Sequence, residues 1–434
     1  MPLPIRLNGW LEHIQSQHFR SIDLGLDRVR RVWHALGGYR PPLVIAVAGT
    51  NGKGSSVAMI ESVLRAAGRH TGCYTSPHLI RYNERVRVDG VPAVDTWLCE
   101  AFERIEQARG TVGLTWFEFG TLAALLVFEQ SGVEIAVLEV GMGGRLDAVN
   151  MVPNDVALIT SIGLDHGNWL GRDRERVGGE KAGIIKFGGR VVCSDPEPPA
   201  SIADQARKMQ ATLWQLGVDF RIEETDIDQI DGTFSWRSEA MGVPAGWRRL
   251  DGLTLPIPGF HQYRNAAGVI ATLAVLPEQI GVLPAHVVRG LRRVAAPGRL
   301  QVVPGQPEIL LDVCHNLESS EALAAWLRRN PVSGRVLAVF GVLRDKPVAA
   351  MVEVLGGFVD QWYIASLAGD RGQSAGALAD AAGKGVFNGE TSLHGTPVAA
   401  FEAARRAAEA NDRIVVFGSF HTVGDIMRVL ELSS

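Results

Sequence analysis

Residues 44–68 read VIAVAGTNGKGSSVAMIESVLRAAG: an apolar strand, a break of glycines around one lysine, then a helical pattern. A strand that stops at glycines and resumes as a helix commits the chain to an α/β unit. It also aims the bare N–H groups of the helix start at whatever sits on the loop. Lys53 stands between Gly52 and Gly54 at that helix mouth, a place that suits an anion, and phosphate above all. Ser55 or Ser56 could face a phosphate or Mg²⁺. The loop departs from the usual GxxxxGK pattern followed by Ser or Thr. Val47 occupies the first glycine position, and Gly54 separates Lys53 from Ser55. A glycine-rich helix start without ligand is the plainer alternative; the strand–loop–helix setting favours a nucleotide.

The same alternation runs through the chain. Apolar runs at 43–48, 134–140, 156–162 and 190–194 predict strands, with helices at 55–67, 95–108 and 117–130 between them. Strands alternating with helices predict a mainly parallel sheet wrapped on both faces. Residues 217–258 lose the helical period and read as irregular strands and loops; helix returns at 262–276 and 285–294. VAAPGRLQ (294–301) reads as a boundary, because Pro297 and Gly298 break the pattern. After it EILLDVC, RVLAVFGV, QWYIAS and RIVVFGSF alternate with helices at 318–329, 347–358, 396–410 and 422–432. The expected architecture is α/β: an N-terminal phosphate-loop ATPase-like domain with a mainly parallel sheet over 1–296. A smaller, Rossmann-like C-terminal α/β domain is expected over 297–434.

Composition narrows the class. The 434 residues exceed one ordinary domain, and 46% hydrophobic with 21% charged residues describes a soluble globular chain. A net charge of −4 argues against a nucleic-acid partner. Cys73, Cys99, Cys193 and Cys314 are scattered without a CxxC pair and read as buried, reduced thiols. The N-terminus lacks the apolar core of a signal peptide, and LAALLVF (122–128) is far short of the ~20 residues that span a bilayer. The expectation is a cytoplasmic protein.

Sites in open parallel sheets form at the carboxyl ends of strands, and polar residues recur there in this chain. Glu139 ends an otherwise apolar run. A buried carboxylate needs a partner, and beside a phosphate loop Mg²⁺ is the natural one. An ion pair with Arg145 or another base is the alternative. Gly141, Gly143 and Gly144 follow, then Asp147. His166 sits just past the next strand as a metal ligand, general base or merely structural residue. Glu180 and Lys181 head a short helix, where Lys181 could simply pair with Glu180. In the second domain Asp312, His315 and Asn316 follow one strand, and GVLRDKP and GSFHT follow the next ones, which marks that edge as a ligand face.

In order, GTNGKGS, TSPHL, TWFEFGT, LEVGMGGRLDAVN, SIGLDH, EKAGIIK, HQYRNAA, PGRLQ, LDVCHN and GSFHTVGD resemble the folylpolyglutamate synthases of the ATP-dependent Mur ligase superfamily. The resemblance runs from about residue 10 to 430, and the shortened phosphate loop is the form that family uses. It implies an ATP-dependent ligase that phosphorylates a folate carboxylate and lets the glutamate amine displace phosphate, with two Mg²⁺ ions sharing the charge. By position it implies ATP binding by Thr50, Asn51, Gly52, Lys53, Gly54 and Ser55, with Asn265, Arg299 and Asp312 completing a nucleotide site between the domains. Lys53, Lys181, His166 and Glu139 are the implied catalytic set. Ser76 and Glu139 would bind the first metal and His166 the second. Lys181 would be carbamylated to N6-carboxylysine. His315 and Ser419 would line the glutamate site.

Many bacterial members also add the first glutamate to dihydropteroate. Their pterin segments match Ile22, Asp23 and Leu24, then Thr115, Trp116, Phe117 and Glu118, then Leu146, Asp147 and Ala148. The resemblance therefore favours the bifunctional dihydrofolate synthase/folylpolyglutamate synthase group. Its members are usually monomers acting on dihydropteroate, reduced folates, L-glutamate and ATP, without nucleic-acid or membrane partners. Alternatives are a monofunctional folylpolyglutamate synthase and a Mur-type cell-wall ligase. The latter usually carries an extra N-terminal domain, for which 52 residues before Lys53 are too few. From another class, a phosphate-loop NTPase switch would hydrolyse nucleotide without an acceptor.

Overall fold

The computed structural model describes residues 3–16, 23–224, 232–383, 387 and 389–433. These form two compact units. The first comprises residues up to His78, Tyr82–Pro256 and Tyr263–Val294. The second comprises Ala295 onward together with Leu79–Arg81 and Ile257–Gln262.

In the first unit eight strands form one sheet: β1 (Leu43–Ala48), β2 (Thr71–Tyr74), β3 (Val86–Val88), β4 (Val91–Pro92), β5 (Ile135–Glu139), β6 (Val156–Ile159), β7 (Arg190–Cys193) and β8 (Thr212–Gln215). Their spatial order is β4-β3-β2-β5-β1-β6-β7-β8. From β2 to β8 all neighbours are parallel; β3 and β4 add an antiparallel edge. Every residue of β1, β5 and β6 is buried, as a sheet covered by helices on both faces requires. The helix Trp116–Ser131 is buried from Glu118 to Phe128, so it is apolar almost all round rather than on one stripe. Thr115 starts it and Gly132, at φ 69°, ends it in the left-handed conformation that glycine tolerates.

Two N-terminal helices, Leu7–Ser16 and Asp27–Ala35, were not expected from the pattern of residues. Their apolar faces join the main core; the Trp10 ring lies 6.0 Å from Phe102 on the helix Asp95–Arg109. The stretch expected to be irregular contains a regular antiparallel sheet, β9 (Phe220–Glu224), β10 (Phe234–Ser238) and β11 (Arg249–Leu253), in the order β11-β10-β9. FSWRS alternates buried and half-buried residues. Its inward aromatics pack on the helix Phe260–Ala274: Phe234 stands 5.1 Å from Tyr263, and the Trp236 Nε1–H donates to the Ala267 carbonyl at 3.2 Å.

The second unit holds β12 (Gln301–Val303), β13 (Glu308–Asp312), β14 (Val336–Phe340), β15 (Gln361–Ala365), β16 (Glu390–His394) and β17 (Arg413–Phe417), ordered β12-β13-β17-β14-β15-β16. Only β12 is antiparallel to its neighbour. Apolar clusters cover both faces, one around Phe340, Trp362 and Phe417 and the other around Phe401, Ile414 and Met427.

Candidate active site

Four loops of the first unit leave the same sheet edge, because β2, β5, β1 and β6 are parallel neighbours. Glu139 ends β5 opposite Val47, and Ile159 ends β6 opposite Ala48. The phosphate loop, residues 49–54, is laced to the loop after β6. The Thr160 Oγ1–H donates to the Asn51 carbonyl at 2.6 Å, Thr50 N donates to Ser161 O at 2.7 Å, and the Thr50 Oγ1–H donates to Gly163 O at 3.0 Å. Two glycines are obligatory for close approach. A Cβ on Gly49 would fall 1.7 Å from Thr160 Oγ1, and one on Gly52, at φ +86°, 2.4 Å from Asn265 Oδ1. The structure thus brings Asn265 onto the loop. Lys53 begins the helix Lys53–Ala66 and folds back over the loop, its Nζ donating to Gly49 O at 2.9 Å and Thr50 O at 3.1 Å. Ser55 and Ser56 are buried under it, and the Ser56 hydroxyl has no hydrogen-bond partner among the described residues.

Glu139 is 4% exposed and accepts the Ser76 backbone N–H on Oε2 at 3.1 Å, so the expected first-metal pair is in contact. Arg145, offered above as its ion-pair alternative, is instead drawn to Glu180, with Nη2–Oε1 at 2.8 Å and Arg145 N donating to Glu180 O at 2.8 Å. The same pairing engages the carboxylate that Lys181 was weighed against. Lys181 is 3% exposed in the helix Arg174–Ala182. Gly144 packs on this helix; a Cβ on it would fall 2.8 Å from Glu180 O and 2.9 Å from Lys181 O. His166 adopts left-handed φ 53°, ψ 39° before the short helix Gly167–Leu170. Its backbone N–H reaches Asp165 Oδ1 at 2.8 Å, and its Nε2 lies 3.8 Å from Asp165 Oδ2. Among the described residues no three His, Cys, Asp or Glu side chains form a cage. What the edge offers is hard oxygen from Ser76 and Glu139 beside a phosphate loop. Those donors fit Mg²⁺, which keeps waters and binds through one or two carboxylates plus substrate phosphates.

The expected pterin segments also lie in this unit, except that Ile22 falls outside the described residues. Thr115 and Glu118 close a capping box: Glu118 Oε2 accepts Thr115 N at 2.7 Å, and Thr115 Oγ1 accepts Glu118 N at 3.2 Å. Burial raises the Glu118 carboxyl above its usual range. Its other oxygen takes Arg28 Nη2 at 3.3 Å, while Arg28 Nη1 sits 2.7 Å from Asp23 Oδ2. One guanidinium therefore ties the 23–24 segment to the 115–118 turn, with Leu24 half-buried beside it. Trp116 and Phe117 are half-buried, and the Phe117 ring lies over Gly141. Asp147 is buried; Met142 N and Val149 N donate to its two oxygens at 2.9 and 3.0 Å. Burial pushes its carboxyl up to about 7, against those backbone donors and the positive charge of Lys53. Leu146 is half-buried and Ala148 buried on either side.

In the second unit Arg299, Asp312, His315 and Ser419 share one sheet edge. Asp312 ends β13 and accepts Leu300 N and Cys314 N, both at 2.7 Å; burial raises its carboxyl. Leu300 holds φ 45°, unusual for a side-chain-bearing residue, in the turn that carries Arg299. The Arg299 guanidinium lies 5.0 Å over the Phe420 ring, and His315 stands 6.2 Å from the same ring. Ser419 caps the helix Phe420–Val429, and Asn316 caps Leu317–Arg329.

Three groups were missed in the sequence. Arg28 is one. Asp195, just past β7, is another: it accepts Ile162 N at 2.6 Å and pairs with Arg174 at 3.1 Å, while Arg174 Nε donates to Ile162 O at 2.8 Å. This clasp fixes the root of the His166 loop to the Lys181 helix. A polar residue at the end of the 190–194 run was the available signal. The third is the ion pair of buried Glu61 with half-buried Arg87.

The Mur ligase middle domain matches residues 47–273, and the Mur ligase glutamate ligase domain matches 298–420. The dihydrofolate synthase/folylpolyglutamate synthase of Escherichia coli K12 is 41% identical over 428 residues, covering 98% of this chain and 96% of that one. Escherichia coli FolC in complex with DHPP and ADP superposes with a TM-score of 0.90 at 40% identity, covering 99% of each chain. A bifunctional folylpolyglutamate synthase/dihydrofolate synthase with Mn, AMPPNP and L-glutamate bound gives 0.87 at 39% identity, covering 99% of this chain and 100% of that one. Fold and phosphate loop define a two-part α/β ligase on the Mur plan. The chain belongs to the dihydrofolate synthase/folylpolyglutamate synthase family of the Mur ligases.

Proposed function

We infer that this chain joins L-glutamate to dihydropteroate, making dihydrofolate, and to the γ-carboxyl of reduced folates, making folylpolyglutamates. It is an ATP-dependent ligase acting on folate with glutamate, and it uses a divalent metal. The observation that carries the residue-level reading is the phosphate loop itself. It is fixed by Thr160, Ser161 and Gly163, with Lys53 across it and Glu139 one strand away.

A carboxylate resists nucleophiles because of its charge, so the ligase must first give it a leaving group. Thr50 to Ser55 hold the ATP phosphates, the open backbone N–H groups being those of the helix start at Lys53, and Lys53 neutralises the oxygens of the phosphoryl group in transfer. The substrate carboxylate takes the terminal phosphoryl group, releasing ADP. The glutamate amine then attacks the acyl phosphate carbon, and phosphate leaves as the amide forms and the amine loses a proton. Asn265, Arg299 and Asp312 hold the nucleotide, and His315 and Ser419 hold the incoming glutamate. Ser76 and Glu139 would hold one Mg²⁺ and His166 a second, supplying charge stabilisation to the phosphates. The buried Lys181 would carry a carbamate: its neutral amine bonds to the carbon of CO₂ and sheds a proton, replacing a buried cation with an anion. The protein works as a cytoplasmic monomer on small molecules alone, in keeping with its net charge of −4.

Bifunctionality sets the decisive test. The two acids differ by one glutamate, so the shorter one must place its pterin nearer the same reacting carboxylate, and the pterin must bind in two places. Asp23, Leu24, Thr115 to Glu118 and Leu146 to Ala148 would hold the dihydropteroate pterin, and the longer folate should reach past them. Asp147→Ala should cut dihydrofolate synthesis by roughly 10- to 150-fold, the worth of a charged hydrogen bond of ~1.5–3 kcal/mol, and leave chain extension close to wild type. Equal loss of both activities would contradict the separate pterin place. A wild-type protein unable to use dihydropteroate would be a monofunctional folylpolyglutamate synthase.

A further inference from the structure

The pair Glu61–Arg87 lies outside every segment assigned above. Glu61 is on the inner face of the helix that starts at Lys53 and is 5% exposed; Arg87 is on β3. Arg87 Nε and Nη2 both donate to Glu61 Oε2, at 3.1 and 2.9 Å. Glu61 Oε1 is buried with no hydrogen-bond partner among the described residues. Burial works against the guanidinium's charge, but the Glu61 carboxylate, helped by Cys73 and Glu139, more than offsets it and raises Arg87 above its usual value. A buried carboxylate with one oxygen unmatched, held by a half-buried guanidinium, is a poor way to gain stability. Its geometry serves another end.

The remaining arm of Arg87 explains it. Nη1 donates to Thr75 Oγ1 and to the Glu84 carbonyl, both at 3.3 Å. Thr75 N donates to Arg85 O at 2.9 Å, and the next residue, Ser76, donates its backbone N–H to Glu139. An unbroken chain of contacts therefore runs from the phosphate-loop helix through Glu61, Arg87 and Thr75 to Ser76 and Glu139.

We propose that Arg87, anchored by Glu61, is a positioning residue that sets Ser76 and Glu139 at a fixed distance from the phosphate loop, so that one divalent ion meets both the side chains and the nucleotide phosphates. The proposal rests on reading Ser76 and Glu139 as metal ligands. Groups that orient metal ligands from behind typically contribute 10- to 100-fold in affinity. Arg87→Ala would strand a buried carboxylate and unfold the unit, so two milder changes test the idea. Thr75→Val removes the hydroxyl that Arg87 holds and keeps the ion pair. Arg87→Lys keeps the charge and loses the three-way fork.

The probe is Mn²⁺, titrated by electron paramagnetic resonance into the full-length protein with a non-hydrolysable ATP analogue, with thermal unfolding measured alongside and Glu139→Gln as reference. Both variants should bind Mn²⁺ about 10- to 100-fold more weakly, with Thr75→Val unfolding at the wild-type temperature. Activity should return in part at high Mn²⁺. If Glu139→Gln weakens Mn²⁺ while Thr75→Val and Arg87→Lys bind like wild type and only melt earlier, the pair is structural and the proposal fails. Wild-type affinity in all three variants would remove the metal-site reading and the positioning role with it.

Discussion

Lys53 shows how much one side chain can be asked to do. Its ammonium lies over two carbonyls of its own loop, which keeps the charge where phosphate oxygens arrive instead of letting it swing into solvent. Lys53→Ala should therefore leave the circular dichroism spectrum and melting temperature near wild type and lower the ligation rate on the order of 10²-fold or more. Near wild-type turnover would remove the phosphate-loop assignment. Lys181 makes a different demand, because a lysine 3% exposed must give up its charge or find an anion. Lys181→Ala should be nearly inactive, with partial recovery in millimolar acetate as the small carboxylate occupies the carbamate's place. Electron density for a bare ammonium in the nucleotide-bound protein at neutral pH would refute the carbamate.

At the scale of elements, the antiparallel edge deserves a test of its own, since it carries Arg87. His70 and Asp89 close it. His70 Nδ1 lies 2.7 Å from Asp89 Oδ2, Nε2 lies 2.7 Å from Ser131 O, and Asp89 Oδ1 accepts Thr71 N at 2.8 Å. The Ser131 carbonyl, then Asp89, raise the His70 value against the effect of partial burial. Burial pushes Asp89 up, but Thr71 N–H and His70 together bring it below its usual value. The His70 contribution is complete below its ordinary value of about 6.5 and is lost as pH rises through the raised one. The Asp89 contribution is present above about 4 and is lost as pH falls through the lowered value. The clasp is therefore strongest between about pH 4 and 6.5. Warming scans should show wild-type stability falling from about pH 6 to 8 more steeply than in His70→Gln. Parallel slopes would mean the contact adds nothing.

Elements also show what a sequence reveals. The strand–loop–helix at 43–66 was legible because its signal is local: an apolar run, glycines, a lysine and a helical period within 25 residues. Helix Ala375–Ala382 and β16 were not, because AGALADAA offers almost no contrast between faces, and ETSLH lies on an exposed sheet edge where alternation is not demanded. Arg87 and Glu61 stay hidden for another reason. A three-residue strand carries no period, and the pairing partner is 26 residues away. Thr115 and Glu118 were legible as a motif, but only the fold shows them building a helix start while Arg28 fastens that start to Asp23.

At the scale of the whole molecule, each unit is an α/β sheet with polar residues gathered at strand ends. Glu139, His166 and Lys53 belong to the first, and Asp312, His315 and Ser419 to the second. Such edges could serve nucleotide hydrolysis as well as ligation, so the central claim rests on what is joined to what. The most direct measurement follows ADP release and product mass together, with purified protein, Mg²⁺, ATP, glutamate, and either dihydropteroate or tetrahydrofolate. ADP should accumulate beyond one equivalent per enzyme only when both an acid and glutamate are present, and each acid should gain one glutamate residue per ADP. ADP released without an acceptor, or with neither acid extended, would contradict a folate–glutamate ligase.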